Sequence, residues 1–202
     1  GSSDLLLTKA ARLAGVSTII GELPNLFPYR GVDVDVWVAP SRYVATYSYS
    51  APVVVIPPGI DTDLFRPLPF EEQKKNNVVV VGFVGRVAPE KSINLFVHAA
   101  SRVKNATFVV IGDGEALESA KSLAGHFGAS IEFTGRLQGK ELASRLRQFD
   151  VVVNPSLRAT SETFCIANIE AMSSGVPVVS FGVGGGGEYL QPGYNGLLAT
   201  SL

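Results

Sequence analysis

The chain has 202 residues, 46% of them hydrophobic and 17% charged, with a net charge of -1. This balance is too apolar for a disordered chain and lacks the basic excess that a nucleic-acid partner favours, while the length allows a core that removes roughly 70% of the surface from water. No apolar run approaches the roughly 18 to 20 residues of a membrane span and the N-terminus lacks the order of a signal peptide, so the cytosol, or the cytosolic face of a membrane for a longer protein, is the expected compartment; a single cysteine agrees with that.

Gly1 and Ser2 look like an addition to the chain and are left out of the fold reasoning. The segment to residue 70 carries Leu23 to Pro28, the Pro57-Pro58-Gly59 turn and Pro67-Leu68-Pro69, with strands expected at Val16 to Ile20 and Val34 to Val38. It reads as the tail of a preceding domain plus a linker. Glu71 to Asn77 is polar and expected to be exposed. From Asn77 onward, short β-branched runs alternate with helical patterns, the mark of a parallel sheet covered on both faces. Val78 to Val84 is the first such strand, followed by Ile93, Phe96, Val97, Ala100 and Val103 at the spacing of a half-buried helix. Thr107 to Ile111 precedes a helix with Leu117, Ala120, Ala124 and Phe127 inward; Ile131 to Thr134 precedes one with Leu142, Leu146 and Phe149. Asp150 to Asn154 leads to a helix expected from about Thr163 to Ser173, ended by Gly175. Pro177 to Phe181 and Gly196 to Ala199 read as the last two strands. The fold class is therefore α/β, a Rossmann-like doubly wound parallel sheet over 71–202, with 1–70 as a partial second unit.

Open parallel sheets bind ligands at the carboxyl ends of their strands. After the first strand stand Gly85, Arg86 and then Lys91: two cations at one strand end suit an anion, although both also read as solvated residues opening a helix. Glu162 and Glu170 stand eight residues apart with Pro155-Ser156 upstream. A helix starting near Thr163 would leave the amides of Thr163, Phe164, Cys165 and Ile166 free as an anion site, and eight helical residues rise about 12 Å, comparable to the distance between the two sugars of a nucleotide sugar. The alternative is one dipole-stabilised glutamate and one solvated glutamate. Gly184 to Gly187 allows a close approach ahead of Glu188, which could accept backbone amides, and a flexible loop is the equal reading. Cys165 at a helix start could have a lowered thiol pKa; a packing role is the simpler reading. His98 and His126 fall within or beside helices and read as surface or packing residues.

Several segments appear in a specific order: Val55-Ile56-Pro57-Pro58-Gly59-Ile60-Asp61, Val84-Gly85-Arg86 with Glu90-Lys91, Val110-Ile111-Gly112-Asp113-Gly114 and Phe133-Thr134-Gly135. Pro155-Ser156, Glu162 to Glu170, Gly175-Val176-Pro177, Gly184-Gly185 with Glu188, and Asn195-Gly196-Leu197-Leu198 continue it. This succession resembles the C-terminal, donor-binding domain of the retaining glycosyltransferases with two Rossmann-like domains (GT-B fold, family 4, group 1 type). The resemblance implies that Arg86 and Lys91 hold the diphosphate of a UDP-, GDP- or ADP-sugar, that Glu162 contacts the transferred sugar and Glu170 the ribose. It implies that the amides of Phe164, Cys165 and Ile166 complete the cradle and that Arg136 and Leu137 flank the base, with Glu162, Arg86 and Lys91 as the catalytic set. No metal or cofactor is implied. The acceptor, a sugar or a lipid- or protein-linked group, belongs to an N-terminal domain of which residues 3 to 50 resemble only the last strands, so the isolated chain is expected to have little transferase activity. Ser92 stands where the family often has glycine. A dinucleotide-binding dehydrogenase is disfavoured because Arg86 occupies the turn that would need Gly-x-Gly-x-x-Gly; a non-catalytic module of the same fold is the remaining alternative.

Overall fold

The computed structural model describes residues 2–26, 29, 31–47, 49, 51–72 and 78–200. Two parallel sheets organise them. The smaller has the order β1-β2-β3, made of β1 (Ile20–Glu22), β2 (Val36–Ala39) and β3 (Val53–Val55), with helix α1 (Ser2–Leu13) before it and the short α2 (Arg42–Ala45) after β2. The larger contains β4 (Val79–Val84), β5 (Ala106–Ile111), β6 (Ile131–Gly135), β7 (Val151–Asn154), β8 (Val178–Ser180) and β9 (Gly196–Leu198). Its order is β6-β5-β4-β7-β8-β9, every pair parallel. The order reverses between β4 and β7, which opens a crevice at the carboxyl ends of those two strands.

Both faces of the larger sheet are buried, and the two-residue period of a strand sorts its side chains between them. Val109 and Ile111 of β5 join Val152, Val178 and Leu142 and Leu146 of α5 (Gly139–Leu146) on one face. Phe108 and Val110 join Phe83, the Phe96 and Val97 of α3 (Ile93–Arg102) and the Ala120 and Ala124 of α4 (Leu117–Phe127) on the other. That is why β5 is an unbroken apolar run in the sequence. Phe96, 1% exposed, lies edge-on to Phe108 and against Phe83; replacing it with alanine would cost about 3 to 5 kcal/mol. Gly82 stands mid-strand because the Phe149 ring covers it, 2.2 Å from where a Cβ would lie. The three expected helical stripes face inward except at their ends, where Val103 and Phe127 are exposed because each stands at or past the last turn of its helix, and α6 (Ile166–Ser173) completes the set.

Several sequence expectations for the first segment are corrected. Ser2, set aside above, opens α1. Residues 16–19 form no strand: the Arg12 guanidinium occupies the carbonyls of Val16 and Ser17, at 3.3 and 3.0 Å, and β1 starts only at Ile20. The strand expected at Val34 begins at Val36. The valine run Val53–Val55 is an additional strand, paired through Trp37 N to the Pro52 carbonyl and Ile56 N to the Ala39 carbonyl. Phe27 and Pro28 of the proline-bearing segment, and residues 73–77 of the polar stretch, lie outside the described residues; Glu71 and Glu72 are exposed.

The connection ahead of β4 is docked on the larger unit. Phe65 is 6% exposed within its core, Arg147 donates to the Leu64 carbonyl at 3.2 Å, the Ser173 hydroxyl donates to the Phe65 carbonyl, and Pro67 covers Gly175.

Candidate functional site

Past their last residues, β4, β5 and β6 remain laced together through their loops. Gly85 N donates to the Ile111 carbonyl at 3.0 Å, Val87 N to Asp113 at 2.9 Å, and Gly112 N to Gly135 at 2.8 Å. Gly112 and Gly114 adopt φ of +147° and +151°, and a Cβ on Gly112 would sit 1.8 Å from the Gly85 carbonyl oxygen. Only glycine allows this approach. The result is a flat backbone floor for a cleft of about 640 Å³ bordered by Gly85, Arg86, Gly112, Asp113, Gly114, Arg136, Leu137, Leu142, Ala167 and Glu170. A second depression of about 630 Å³ lies at the opposite, amino ends of the strands, beside Val80, Asp150 and Gly175.

Four residues singled out from the sequence therefore share one cleft: Arg86, Arg136, Leu137 and Glu170. The Arg86 guanidinium is held by Glu90, four residues on in the 3-10 turn Pro89–Lys91, and by Glu115 at 3.2 Å. These ion pairs are solvent-exposed and therefore weak, so the guanidinium is available to a better anion. Glu170 is half-buried on α6, no side chain among the described residues pairs with its carboxylate, and burial raises its pKa above the ordinary value. Such a group gains from ligand hydroxyls that restore the hydrogen bonds lost with water.

Lys91, Glu162, Phe164, Cys165 and Ile166 are not among the residues that line this cleft; Lys91 and Glu162 form a buried network of their own. The Lys91 ammonium reaches Glu162 Oε1 at 2.9 Å and the Ser161 carbonyl at 2.7 Å. Glu162 is 2% exposed. A charge that deep requires a paired partner, and Lys91 supplies it. Asn154 at the end of β7 and Ser156 two residues later also donate to Glu162 Oε1, at 3.3 and 2.5 Å. Asn154 and Tyr189 had no place among the sequence candidates; Ser156 stood there only as part of a motif.

The helix bearing Glu170 begins at Ile166, three residues later than expected. Cys165 takes a left-handed backbone (φ +65°) that breaks the helix, and the Tyr189 hydroxyl donates to the carbonyls of Phe164 and Cys165 at 2.7 and 3.1 Å, holding the bend. Glu162 consequently stands outside the helix, closing a 3-10 turn over Ala159–Ser161, and the rise computed along one helix does not describe its distance from Glu170. The first amides of α6, at Ile166 and Ala167, have no intrahelical acceptor. Phe164 is buried with its ring against Tyr189, while the Ile166 side chain is exposed. Burial pushes the Cys165 thiol up to about 12, so desolvation outweighs any lowering by the helix start.

The glycine run is packed rather than loose. It forms a 3-10 turn over Gly184–Gly187 in which Gly185 N donates to the Glu162 carbonyl at 2.8 Å. Glu188 accepts backbone amides, those of Arg42 and Tyr43 at the start of α2.

A parallel sheet of this strand order, with glycine-bedded loops and a cation-and-acid-lined cleft at its carboxyl edge, defines a Rossmann-like α/β domain. The family profile described as Glycosyl transferases group 1 matches residues 78–201, and the chain belongs to that family. Relatives include a GDP-mannose-dependent alpha-mannosyltransferase of Mycolicibacterium smegmatis, 38% identical over 119 residues that make up 59% of this chain and 30% of the relative. A GDP-mannose-dependent alpha-(1-6)-phosphatidylinositol monomannoside mannosyltransferase of Mycobacterium tuberculosis is 29% identical across 96% of this chain and 59% of its own length. Among solved structures, Anabaena HepE in complex with UDP-glucose superposes with a TM-score of 0.81 at 22% identity, over 97% of this chain and 62% of that one. The fold is that of the GT-B glycosyltransferases, and the chain spans between about a third and three fifths of these proteins.

Proposed function

We propose that this chain binds a nucleoside diphosphate sugar and forms the donor-binding part of a retaining glycosyltransferase. The observation that carries this reading is the single cleft at the carboxyl ends of β4, β5 and β6 that joins Arg86, Arg136, Leu137 and Glu170 over a glycine floor. In this reading the base lies against Arg136 and Leu137, and the ribose hydroxyls donate to Glu170. The diphosphate lies between Arg86 and the first amides of α6, with those of Phe164, Cys165 and Ile166 lining its approach. The sugar extends toward Glu162. The acceptor, a sugar or a lipid- or protein-linked group, is bound by the part of the protein that the longer relatives have and this chain does not span.

Transfer breaks the bond between the anomeric carbon and the diphosphate oxygen. Negative charge grows on the departing phosphate and positive charge on the sugar ring. Arg86, Lys91 and the α6 dipole are preorganised for the first, in a site where fixed charges act more strongly than in water. Glu162 faces the second as a positioning acid. No metal is invoked for these steps.

The GDP-mannose dependence of the relatives makes GDP-mannose the first donor to try, with UDP-glucose and ADP-glucose as the alternatives. Calorimetric titration should detect at least one of these and its free diphosphate, and Arg86→Ala and Glu170→Ala should each weaken binding about tenfold or more. Saturation at a hundredfold excess over Kd should also stabilise the fold by about 2.7 kcal/mol. Failure of every nucleotide to bind, or full affinity in both variants, would remove the proposal.

A further inference from the structure

Glu162 is bonded in a lopsided way. Lys91, Asn154 and Ser156 all donate to its Oε1, whereas its Oε2 is buried and has no hydrogen-bond partner among the described residues. A carboxylate oxygen has about two lone-pair sites, so three donors saturate Oε1 while the other oxygen keeps its full accepting capacity. Leaving a buried carboxylate oxygen unpaired is costly, and a pair that served the fold alone would spread its donors over both oxygens.

The three donors are not equivalent. The Lys91 ammonium is shared with the Ser161 carbonyl, and the Asn154 amide with the Cys165 sulfur at 3.1 Å. Ser156, which is fully buried, gives its one hydroxyl proton to Glu162 at 2.5 Å, the shortest of the contacts. Its own backbone amide is tied to the Asn154 side chain at 3.1 Å, which fixes the turn after β7.

From this asymmetry we infer that Ser156 is a positioning residue of donor recognition: it holds Glu162 by Oε1 so that Oε2, which has no donor among the described residues, is left to accept a hydroxyl of the transferred sugar. The inference rests on the donor-binding reading above. Ser156 acts through Glu162 and touches neither the nucleotide nor the diphosphate. Its removal therefore affects the sugar-bearing donor and spares the bare nucleotide, a split that general loosening of the fold would not produce.

The test compares Kd for GDP and GDP-mannose, or for UDP and UDP-glucose if the guanine nucleotides do not bind, in the wild-type chain, Ser156→Ala and Ser156→Thr. Ser156→Ala should weaken the nucleotide sugar about tenfold and leave the nucleoside diphosphate within about twofold, and Ser156→Thr, which keeps a hydroxyl, should recover most of the loss. Should the alanine variant fail to fold, Ser156→Cys keeps the side-chain shape with a somewhat larger atom and a weaker donor and should show a smaller loss of the same kind. Equal weakening of both ligands, or no change in either, overturns the role of Ser156. A wild-type chain that binds no nucleoside diphosphate overturns the underlying reading instead.

Discussion

The Glu188 carboxylate caps a helix that begins 146 residues before it, accepting Tyr43 N at 2.7 Å and Arg42 N at 3.0 Å. Together with the Ser41 hydroxyl, which accepts Val44 N at 3.2 Å, it satisfies the first three amides of α2. The turn that carries Glu188 also bonds the Glu162 carbonyl through Gly185, and a Cβ on Gly185 would lie 2.6 Å from Ser41 Oγ. One short glycine turn thus ties the smaller sheet to the loop carrying the buried acid.

Glu188→Ala should release that tie. Two hydrogen bonds to a charged acceptor are lost at an exposed position, so we expect about 1 to 2 kcal/mol of destabilisation, or a fall in Tm of a few degrees. Hydrogen exchange should localise the effect, with the Arg42 and Tyr43 amides exchanging faster while β5 is unchanged. Unaltered protection of those two amides would show that the cap contributes nothing in solution.

Glu170 links stability and binding with opposite signs. Its pKa is raised by burial, so the folded state prefers the neutral acid. A raised carboxyl adds stability below its unfolded pKa and loses that contribution as pH climbs through the folded value. At pH 7 the ionised group is therefore a burden on the empty fold, and Glu170→Gln should have an equal or higher Tm than wild type, the gap closing on acidification below the ordinary glutamate range. Nucleotide affinity should move the other way: weaker in Glu170→Gln at pH 7, and in wild type falling on acidification at a pH above that expected of an unperturbed glutamate. Thermal scans and titrations over pH 4 to 8 check both; a Tm clearly lower in the glutamine variant at pH 7 contradicts the desolvation account.

The larger sheet was legible because β5 and its neighbours are buried on both faces, which leaves unbroken apolar runs closed by glycine. Arg86 could be singled out for a related reason, since it stands just past the first of these strands, whereas Glu170, inside α6, was picked out by its spacing from Glu162 and by the family resemblance. The smaller unit was harder to read. Its strands have three or four residues, and the missing pairing of Val16 and Ser17 is decided by the Arg12 side chain, which no local pattern reveals. The Lys91–Glu162 pair joins residues 71 apart and depends on a left-handed Cys165, a conformation that L residues rarely take without outside support. That support is the Tyr189 hydroxyl, 24 residues further on. Propensity alone favoured a helix from Thr163, and this tertiary contact overrode it.

Ser92 and Gly112 form a contrasting pair among the positive-φ residues. Ser92, at the entry to α3, has φ +54° and ψ +39°, and its side chain makes no capping bond. The left-handed backbone costs a serine about 1 to 2 kcal/mol, against roughly 0.5 to 1 kcal/mol that glycine adds to the entropy of the unfolded chain. Ser92→Gly should therefore stabilise by about 0.5 kcal/mol, a difference small enough that this chain tolerates serine there. Gly112 has no such latitude: a Cβ would meet the Gly85 carbonyl carbon at 3.0 Å and its oxygen at 1.8 Å, on backbone that is laced to both neighbouring loops. Gly112→Ala must break that lacing, at a cost of more than about 3 kcal/mol, since backbone strain and lost buried hydrogen bonds add. Urea unfolding of the two variants should place their midpoints on opposite sides of wild type. A Gly112→Ala protein as stable as wild type would mean that the floor of the cleft is not built by the close approach of these two loops.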